Sequence, residues 1–390
     1  MSDWKEGYLS ELLDVIMGQS PKGETCNTDA IGLPLLNGPT EFGIKSPTPI
    51  QFTNDPKKVA EEEDILFCVR GSTTGKMNWA DQTYAIGRGI ASIKHKIGKE
   101  YSRFAMAILE YNLPLLLSSA TGSTFPNVSK KQLNNLEILI PPLPEQRAIV
   151  EVLSSLDDKI DLLHRQNQTL EQMAETLFRQ WFVHRPEPVE GEEADEGWEE
   201  GVLGDEFDFT MGQSPPGSSY NEEGVGIPMY QGNRDFAFRF PQNRVFTTEP
   251  KRFAQKFDTL VSVRAPVGEQ NMAIEKCCIG RGVAAFRYKS NPNFYTYTFF
   301  KMKSLMDEIK QFNETGTVFG LITKSDFQEM EISLPPLKNV ERFQKEVKPI
   351  DDKIILNCTQ IRTLEKFRDT LLPKLMSGEV RVDPKQFMEK

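Results

Sequence analysis

The sequence predicts an α+β protein: two β-rich mixed α/β domains, related by an internal pseudo-twofold and separated by two long antiparallel coiled-coil helices. Three observations predict it. The 390-residue chain repeats itself at an offset of 194. Each copy opens with short β-type runs between turn signals. Each copy closes on a sustained heptad pattern.

The duplication is read directly from the letters. W-x-x-G-x-L at Trp4, Gly7 and Leu9 recurs at Trp198, Gly201 and Leu203, and MGQSP at 17–21 recurs unchanged at 211–215. Asp64–Arg70 (DILFCVR) matches Asp258–Arg264 (DTLVSVR), and IGRGIA at 86–91 matches IGRGVA at 279–284. The register holds through TGSTF at 121–125 against TGTVF at 315–319, the Pro141-Pro142 and Pro335-Pro336 pairs, and DDKI at 157–160 and 351–354. A period of this length exceeds the roughly 20–50 residues of a solenoid unit. Each copy must therefore be a whole globular unit with an appendage, and a duplicated chain commonly builds a surface for a twofold partner.

Within the first copy, Ile65–Val69, Gly89–Lys96 and Leu136–Ile140 read as strands, the last with Leu136, Ile138 and Ile140 on one face. Their equivalents are Thr259–Val263, Gly282–Tyr288, and the stretch bearing Met330, Ile332 and Leu334. Helical spacing is expected at about 101–118 and 294–312. After each Pro-Pro pair the texture changes. Beyond Pro144 no Gly or Pro occurs until after Val183, and Glu145 supports the first turn. Ile149, Leu153, Leu156, Ile160, Leu163, Asn167, Leu170, Ala174, Leu177 and Trp181 alternate in steps of four and three. Phe343, Val347, Ile350, Ile354, Asn357, Ile361, Leu364, Arg368, Leu371 and Leu375 do the same. The predicted boundaries are 1–143 for the first domain, 144–184 for its helix, 185–197 for an acidic linker, 198–336 for the second domain, 337–378 for its helix, and 379–390 for a tail.

Asn167 and Asn357 are not repeat equivalents. They oppose one another if the helices run antiparallel with paired residue numbers summing to 524. A buried Asn pair costs stability but fixes register, since any slip strands an amide in an apolar seam; two tolerated surface-leaning Asn residues are the other reading. The same register places Trp181 against Phe343 and Leu153 against Leu371. It also sets Arg368 against Leu156, where the guanidinium would have to snorkel.

Composition narrows the function. Hydrophobic residues make up 38% and charged residues 26%, as in a globular chain with sizeable cores. No run of 18 apolar residues exists, so no membrane span is expected. No signal peptide is visible in the acidic N-terminus, and five scattered cysteines form neither a disulfide framework nor a zinc pattern. A cytoplasmic setting is the expectation. The net charge of −10 is concentrated in 185–200, which alone carries −7; segments 1–144 and 201–336 are at −2 and −1. A local basic face therefore remains open to either domain.

Catalytic patterns are missing. G71STTGK76 resembles a phosphate-binding loop but is one residue short and is followed by Met77. The Gly87-Arg88-Gly89 turn is not a dinucleotide fingerprint. His95, His164 and His184 assemble no triad or metal site, and no metal ligands are expected. Asp157-Asp158 and Asp351-Asp352 point to different sides of a helix and read as solvated flanks of the coil. Asn291-Pro-Asn-Phe294 lacks the second proline of the amino-methyltransferase motif.

At this point the residues carry a resemblance. W-x-x-G-x-L…GQSP, the duplication, the segment I-PP-L-P-EQRAIVEVLSSLDDKIDLLHRQNQTLEQMAETLFRQWF, and the closing LLPKLMSGEVRV together resemble the specificity subunit of type I restriction–modification enzymes. The likeness covers the chain apart from the acidic linker and the last few residues. The second copy departs, with LKNVERFQKEV where PEQRAIVEVL stands in the first, so its partner-binding face is expected to differ in detail. The resemblance implies two target-recognition domains, each reading one half of a split, asymmetric site in double-stranded DNA. It implies that the helices dock two methyltransferase subunits, with two restriction subunits joining outside them. It implies a non-catalytic chain that binds no cofactor; S-adenosylmethionine, ATP and Mg²⁺ belong to the partners.

Candidate DNA contacts are then the repeated polar loop residues. Gln19, Ser20, Gln213 and Ser214 can donate to backbone or base edges. Arg70 and Arg264 follow strand ends, Arg88 and Arg281 sit in glycine-flanked turns, and Thr121, Ser123, Thr315 and Thr317 lie in loops suited to phosphate. Lys76 and Arg234 add cations in divergent stretches. Residues identical in both copies cannot explain a difference in what the copies read, so the shared arginines suit structural or phosphate-binding roles. Base readers are expected where the copies diverge: Asn37–Lys45 against Gln231–Arg239, and Ser72–Asn78 against Ala265–Asn271. Two other readings stay open, a solitary DNA methyltransferase and a coiled-coil adaptor with two non-DNA ligand domains.

Overall fold

Ile65-Leu66-Phe67-Cys68 is apolar at every position, which only a strand covered on both faces tolerates. In the computed structural model, which describes residues 4–43, 45–119, 126–184, 197–311 and 321–387, all four side chains are buried. The chain divides into two units, Met1–Ile160 with Thr363–Lys390, and Asp161–Arg362.

In the first unit, Ile65–Cys68 lies inside a four-stranded antiparallel sheet of order Leu13–Met17, Ile90–His95, Ile65–Cys68, Met77–Trp79. Strand alternation sends Ile65 and Phe67 into a core with the helix Ser102–Ser118, while Leu66 and Cys68 face a second cluster with Leu36, Tyr84 and Ile86. Those last residues belong to a five-stranded sheet, Cys26–Asn27, Gln51–Thr53, Leu33–Leu36, Tyr84–Ile86, Val59–Ala60, whose pairing of Leu33–Leu36 with Tyr84–Ile86 is parallel. A two-stranded ribbon, Lys5–Tyr8 with Glu137–Ile140, returns the chain to the first long helix, Leu143–Phe178.

The second unit repeats the order strand for strand. Its four-stranded sheet is Phe207–Met211, Val283–Tyr288, Thr259–Ser262, Gln270–Met272. Its five-stranded sheet is Tyr220–Asn221, Phe246–Thr247, Ile227–Tyr230, Cys277–Ile279, Phe253–Ala254. Even the capping boxes correspond: Ser129 with Gln132, and Thr323 with Asp326, each close the N-terminus of a short helix. The expected helix over 294–312 is in fact two, Tyr295–Ser304 and Met306–Gln311. At the break the Ser304 hydroxyl donates to the Lys301 carbonyl (2.7 Å) and Leu305 N–H to Met302 (3.1 Å), a tighter turn than an α-helix makes.

The second long helix, Leu337–Met376, runs through Pro349 and Pro373 without ending. Each unit takes one stretch of both long helices, and in each the two run antiparallel. In the first unit Ile149 and Leu153 share a core with Leu375 and Met376. Arg368 does reach out of the seam there, its guanidinium meeting Asp157 at 3.1 Å. In the second unit the Trp181 and Phe343 rings lie 5.9 Å apart, and Asn357 Nδ2 donates to Asn167 Oδ1 at 2.9 Å with both residues fully buried. The first helix then loosens into a π-type turn, Arg179–Val183; residues 185–196 of the acidic linker lie outside the described residues.

The sequence reading of Asp351 is overturned. Asp351 is no solvated flank: it is buried, 3.3 Å from the Arg239 guanidinium, and accepts a 2.9 Å hydrogen bond from the Thr296 hydroxyl. Burial pushes its carboxyl up, with Arg239 and Thr296 pulling the other way. A carboxylate reads as solvated only while its cationic partner, here in a distant loop, is invisible. Asp352, its neighbour, does stay near the surface, bonded to Tyr295 and Lys348.

The tail is held in the first unit by a three-residue clasp. Glu145, nearly buried, accepts the Trp4 indole N–H at 2.9 Å and both Arg381 donors at 2.5 and 2.6 Å; the guanidinium also sits 4.9 Å over the Trp4 ring. Arg381→Ala is expected to cost about 2 kcal/mol, because a charged group loses two hydrogen bonds. Calorimetry should show a transition lower by roughly 5 °C.

Candidate nucleic-acid interface

In both units the repeated motifs meet at one place, and backbone chemistry explains why. In the first unit, Gly18 N–H donates to Ile90 O and Gln19 N–H to Ile86 O, both at 2.9 Å, so the MGQSP segment lies beside the IGRG turn. Ser20 Oγ then accepts the Arg88 N–H at 3.3 Å. A side chain at Gly87 or Gly89 would overlap Asn37, which is why the turn is G-x-G. Val69 N–H donates to Gly89 O at 2.9 Å and brings Arg70 alongside.

The second unit reproduces each contact. Gly212 N–H bonds Val283 O at 2.9 Å, Gln213 N–H bonds Ile279 O at 3.0 Å, and Ser214 Oγ accepts Arg281 N–H at 3.3 Å. A side chain at Gly282 would overlap the Gln231 carbonyl, and Val263 N–H bonds Gly282 O at 2.9 Å. The result is an open cavity of about 520 Å³ lined by Ser214, Tyr220, Gln231, Asn233, Arg264 and Arg281. An adjoining cleft of about 530 Å³ shares Tyr220, Gln231 and Asn233 and adds Arg234, Asp235 and Arg244.

The sequence-predicted residues thus separate by what they do. Gln19, Arg70, Arg88, Gln213, Arg234, Arg264 and Arg281 are exposed on these loops. Ser20 and Ser214 hold the glycine turn through their oxygens. Lys76 is exposed in the hairpin between Ile65–Cys68 and Met77–Trp79, its ammonium 5.8 Å from the Phe42 ring. That hairpin is closed by Gly75 N–H to Cys68 O and Cys68 N–H to Lys76 O, both 2.8 Å, so G71STTGK76 joins two strands rather than a strand and a helix. Thr121, Ser123, Thr315 and Thr317 lie outside the described residues.

Two residues of this face, Tyr220 and Arg244, escaped the sequence reading, while Asn233 falls in the divergent stretch it named. Tyr220, Asn233 and Arg244 line the two clefts. Arg244 binds Asp235 Oδ1 through Nε (3.2 Å) and NH2 (2.9 Å), and buried Asp235 also takes Gln231 N–H at 3.2 Å, which shapes the loop. Their repeat equivalents are Cys26, Pro39 and Ile50, so divergence between the copies was the available signal. Within the stretch Gln231–Arg239, Arg239 turns inward and is buried, so it cannot touch a base.

Among the described residues, no group of three or more His, Cys, Asp or Glu could hold a metal, and no helix is long and apolar enough to cross a membrane.

A family model described as a type I restriction modification DNA specificity domain matches residues 1–172 and again 195–366. The chain belongs to this family. The two matches begin 194 residues apart, the period of the internal repeat. A putative type I restriction enzyme MjaX specificity subunit from Methanocaldococcus jannaschii is 34% identical over 66% of this chain and 62% of its own length. The MjaIX specificity subunit from the same organism is 29% identical over 67% of this chain and 65% of its own length. The chain therefore spans just under two thirds of each of these relatives. The crystal structure of a type I restriction–modification system S subunit from M. genitalium shares the fold, with a TM-score of 0.60, 20% identity and 96% of each chain covered.

Proposed function

We propose that the chain is the DNA-recognition subunit of a type I restriction–modification complex, without catalysis of its own, working in the cytoplasm. Each unit reads one half of a bipartite, asymmetric site in double-stranded DNA. The observation that carries this reading is the shared loop scaffold with divergent side chains. Both copies hold a Gly-Arg-Gly turn against the same neighbouring residue, which is Asn37 in one and Gln231 in the other. Asn and Gln can both pair bidentately with adenine, but they reach different distances. The exposed arginines, Arg70 with Arg88 and Arg264 with Arg281, suit phosphate contacts, which set the orientation without specifying sequence.

The long helices act as the spacer. The buried Asn167–Asn357 pair fixes their register, since sliding one helix would leave both amides unpaired. Exposed apolar side chains along the helices, Leu162, Met173, Leu356 and Phe367, suit protein partners. Two methyltransferase subunits are the proposed occupants, with two restriction subunits outside them. S-adenosylmethionine, ATP and Mg²⁺ belong to those partners.

The test is duplex binding by the assembled complex as a function of salt. Affinity is expected to fall steeply as salt rises. Arg264→Ala with Arg281→Ala should weaken binding to all sequences alike and reduce the log–log salt slope by about two. A salt-independent affinity, or no duplex binding at low salt, favours the adaptor reading.

A further inference from the structure

The loop that carries Gln231, Asn233 and Arg234 is fastened to the second long helix. Five residues beyond Arg234, the Arg239 side chain is wholly withdrawn from solvent, as is Asp351 on the helix, 3.3 Å away. The guanidinium sits 3.7 Å from the Phe299 ring centroid, and the Arg239 backbone is left-handed, at φ 64°. Two residues further on, the Pro241 carbonyl accepts Arg362 from the same helix at 2.7 Å. At the matching positions the first copy has Lys45 and Asp157, and Asp157 pairs with Arg368 of the second long helix.

A solvent-free ion pair is a poor way to gain stability, because desolvating both charges offsets most of their attraction. Apolar side chains of similar volume would pack there at least as well. What the pair does supply is a single geometry: a charge with no water around it tolerates no slip of its partner. The strained backbone at Arg239 adds to this, for it persists only where the surroundings determine it.

We propose that Arg239 and Asp351 are positioning residues for base recognition, fixing where Gln231, Asn233 and Arg234 meet the C-terminal half-site. The proposal rests on the DNA-recognition reading above. Specificity in this half then depends on a contact that touches no DNA and lies within the second unit.

The test uses the complete complex with its methyltransferase partners, on duplex libraries randomised in one half-site at a time. Asp351→Asn keeps the shape but leaves Arg239 without a counter-charge. Arg239→Met combined with Asp351→Asn removes both charges and guards against simple misfolding. In both variants, discrimination at the C-terminal half-site is expected to fall roughly ten- to hundredfold, the worth of a lost base contact. Discrimination at the N-terminal half-site stays unchanged, and Asp351→Glu restores part of the loss. Unaltered discrimination at the C-terminal half-site in both variants overturns the proposal, as does an equal fall at both half-sites. A wild-type complex that modifies DNA without sequence preference overturns the underlying reading instead.

Discussion

Seven residues inserted into each long helix, after Ile160 in the first and before Leu364 in the second, are expected to move recognition to a longer spacer. A heptad preserves the seam and adds about 10 Å along each helix. That corresponds to about 3 bp of duplex. Both half-sites should be unchanged in sequence, because no recognition loop is touched. Modification at the original spacing should drop by roughly a thousandfold, since one half-site then falls back on non-specific contacts. The new spacing will bind less tightly than the old one does in the wild type. Three base pairs also turn the duplex by roughly 100° between half-sites, and the DNA must twist or bend to compensate. Sequencing the modified bases in a host genome reads both quantities at once. A motif with its spacer unaltered would contradict the role given to the helices.

The second large effect is on stability. Phe343→Ala is expected to destabilise the second unit by about 4 kcal/mol, in the range for deleting a buried aromatic ring. Phe343 is fully buried, and its ring lies within 5.3–6.4 Å of those of Phe178, Trp181, Phe182, Tyr297 and Phe300. It therefore joins the first long helix, the second long helix and the helix Tyr295–Ser304 in a single cluster. A loss of this size is a large part of ordinary domain stability. Thermal unfolding should show a midpoint lower by roughly 10 °C, whereas Phe343→Leu should recover most of it. A change below about 1 kcal/mol would mean that the aromatic cluster is not what holds the helices to this unit.

Much of the fold was legible because it is periodic. The 194-residue repeat and the four-three spacing survive any uncertainty about single residues, and they led to two β-rich units and two long helices. The pairing of numbers summing to 524 needed only two asparagines, and their amides lie 2.9 Å apart. Strand ends were less secure: Val69, Gly89 and Lys96 fall just outside the strands they were assigned to. The helix break at Leu305 depends on one serine's back-bond, which no apolar pattern registers. Asp351 was misread because two neighbouring carboxylates on a helix suggest solvated flanks, whereas its partner, Arg239, comes from a loop more than a hundred residues earlier in the chain.

The candidate face was legible as motifs but not as geometry. MGQSP and IGRG are far apart in sequence, and the pairing of Leu13–Met17 with Ile90–His95, two further backbone hydrogen bonds and a serine oxygen bring them together. The sequence could say that Gln231–Arg239 differs from Asn37–Lys45. It could not say that Arg234 faces solvent while Arg239, five residues later, is buried against Phe299. That distinction depends on a left-handed turn and an aromatic wall supplied from sixty residues away.

The most direct test is single-molecule sequencing of modified bases in a host carrying the wild-type complex. The account predicts one split motif, with two unlike half-sites separated by a spacer of constant length and indifferent sequence. A continuous motif, a palindrome, or half-sites at variable separation would contradict it.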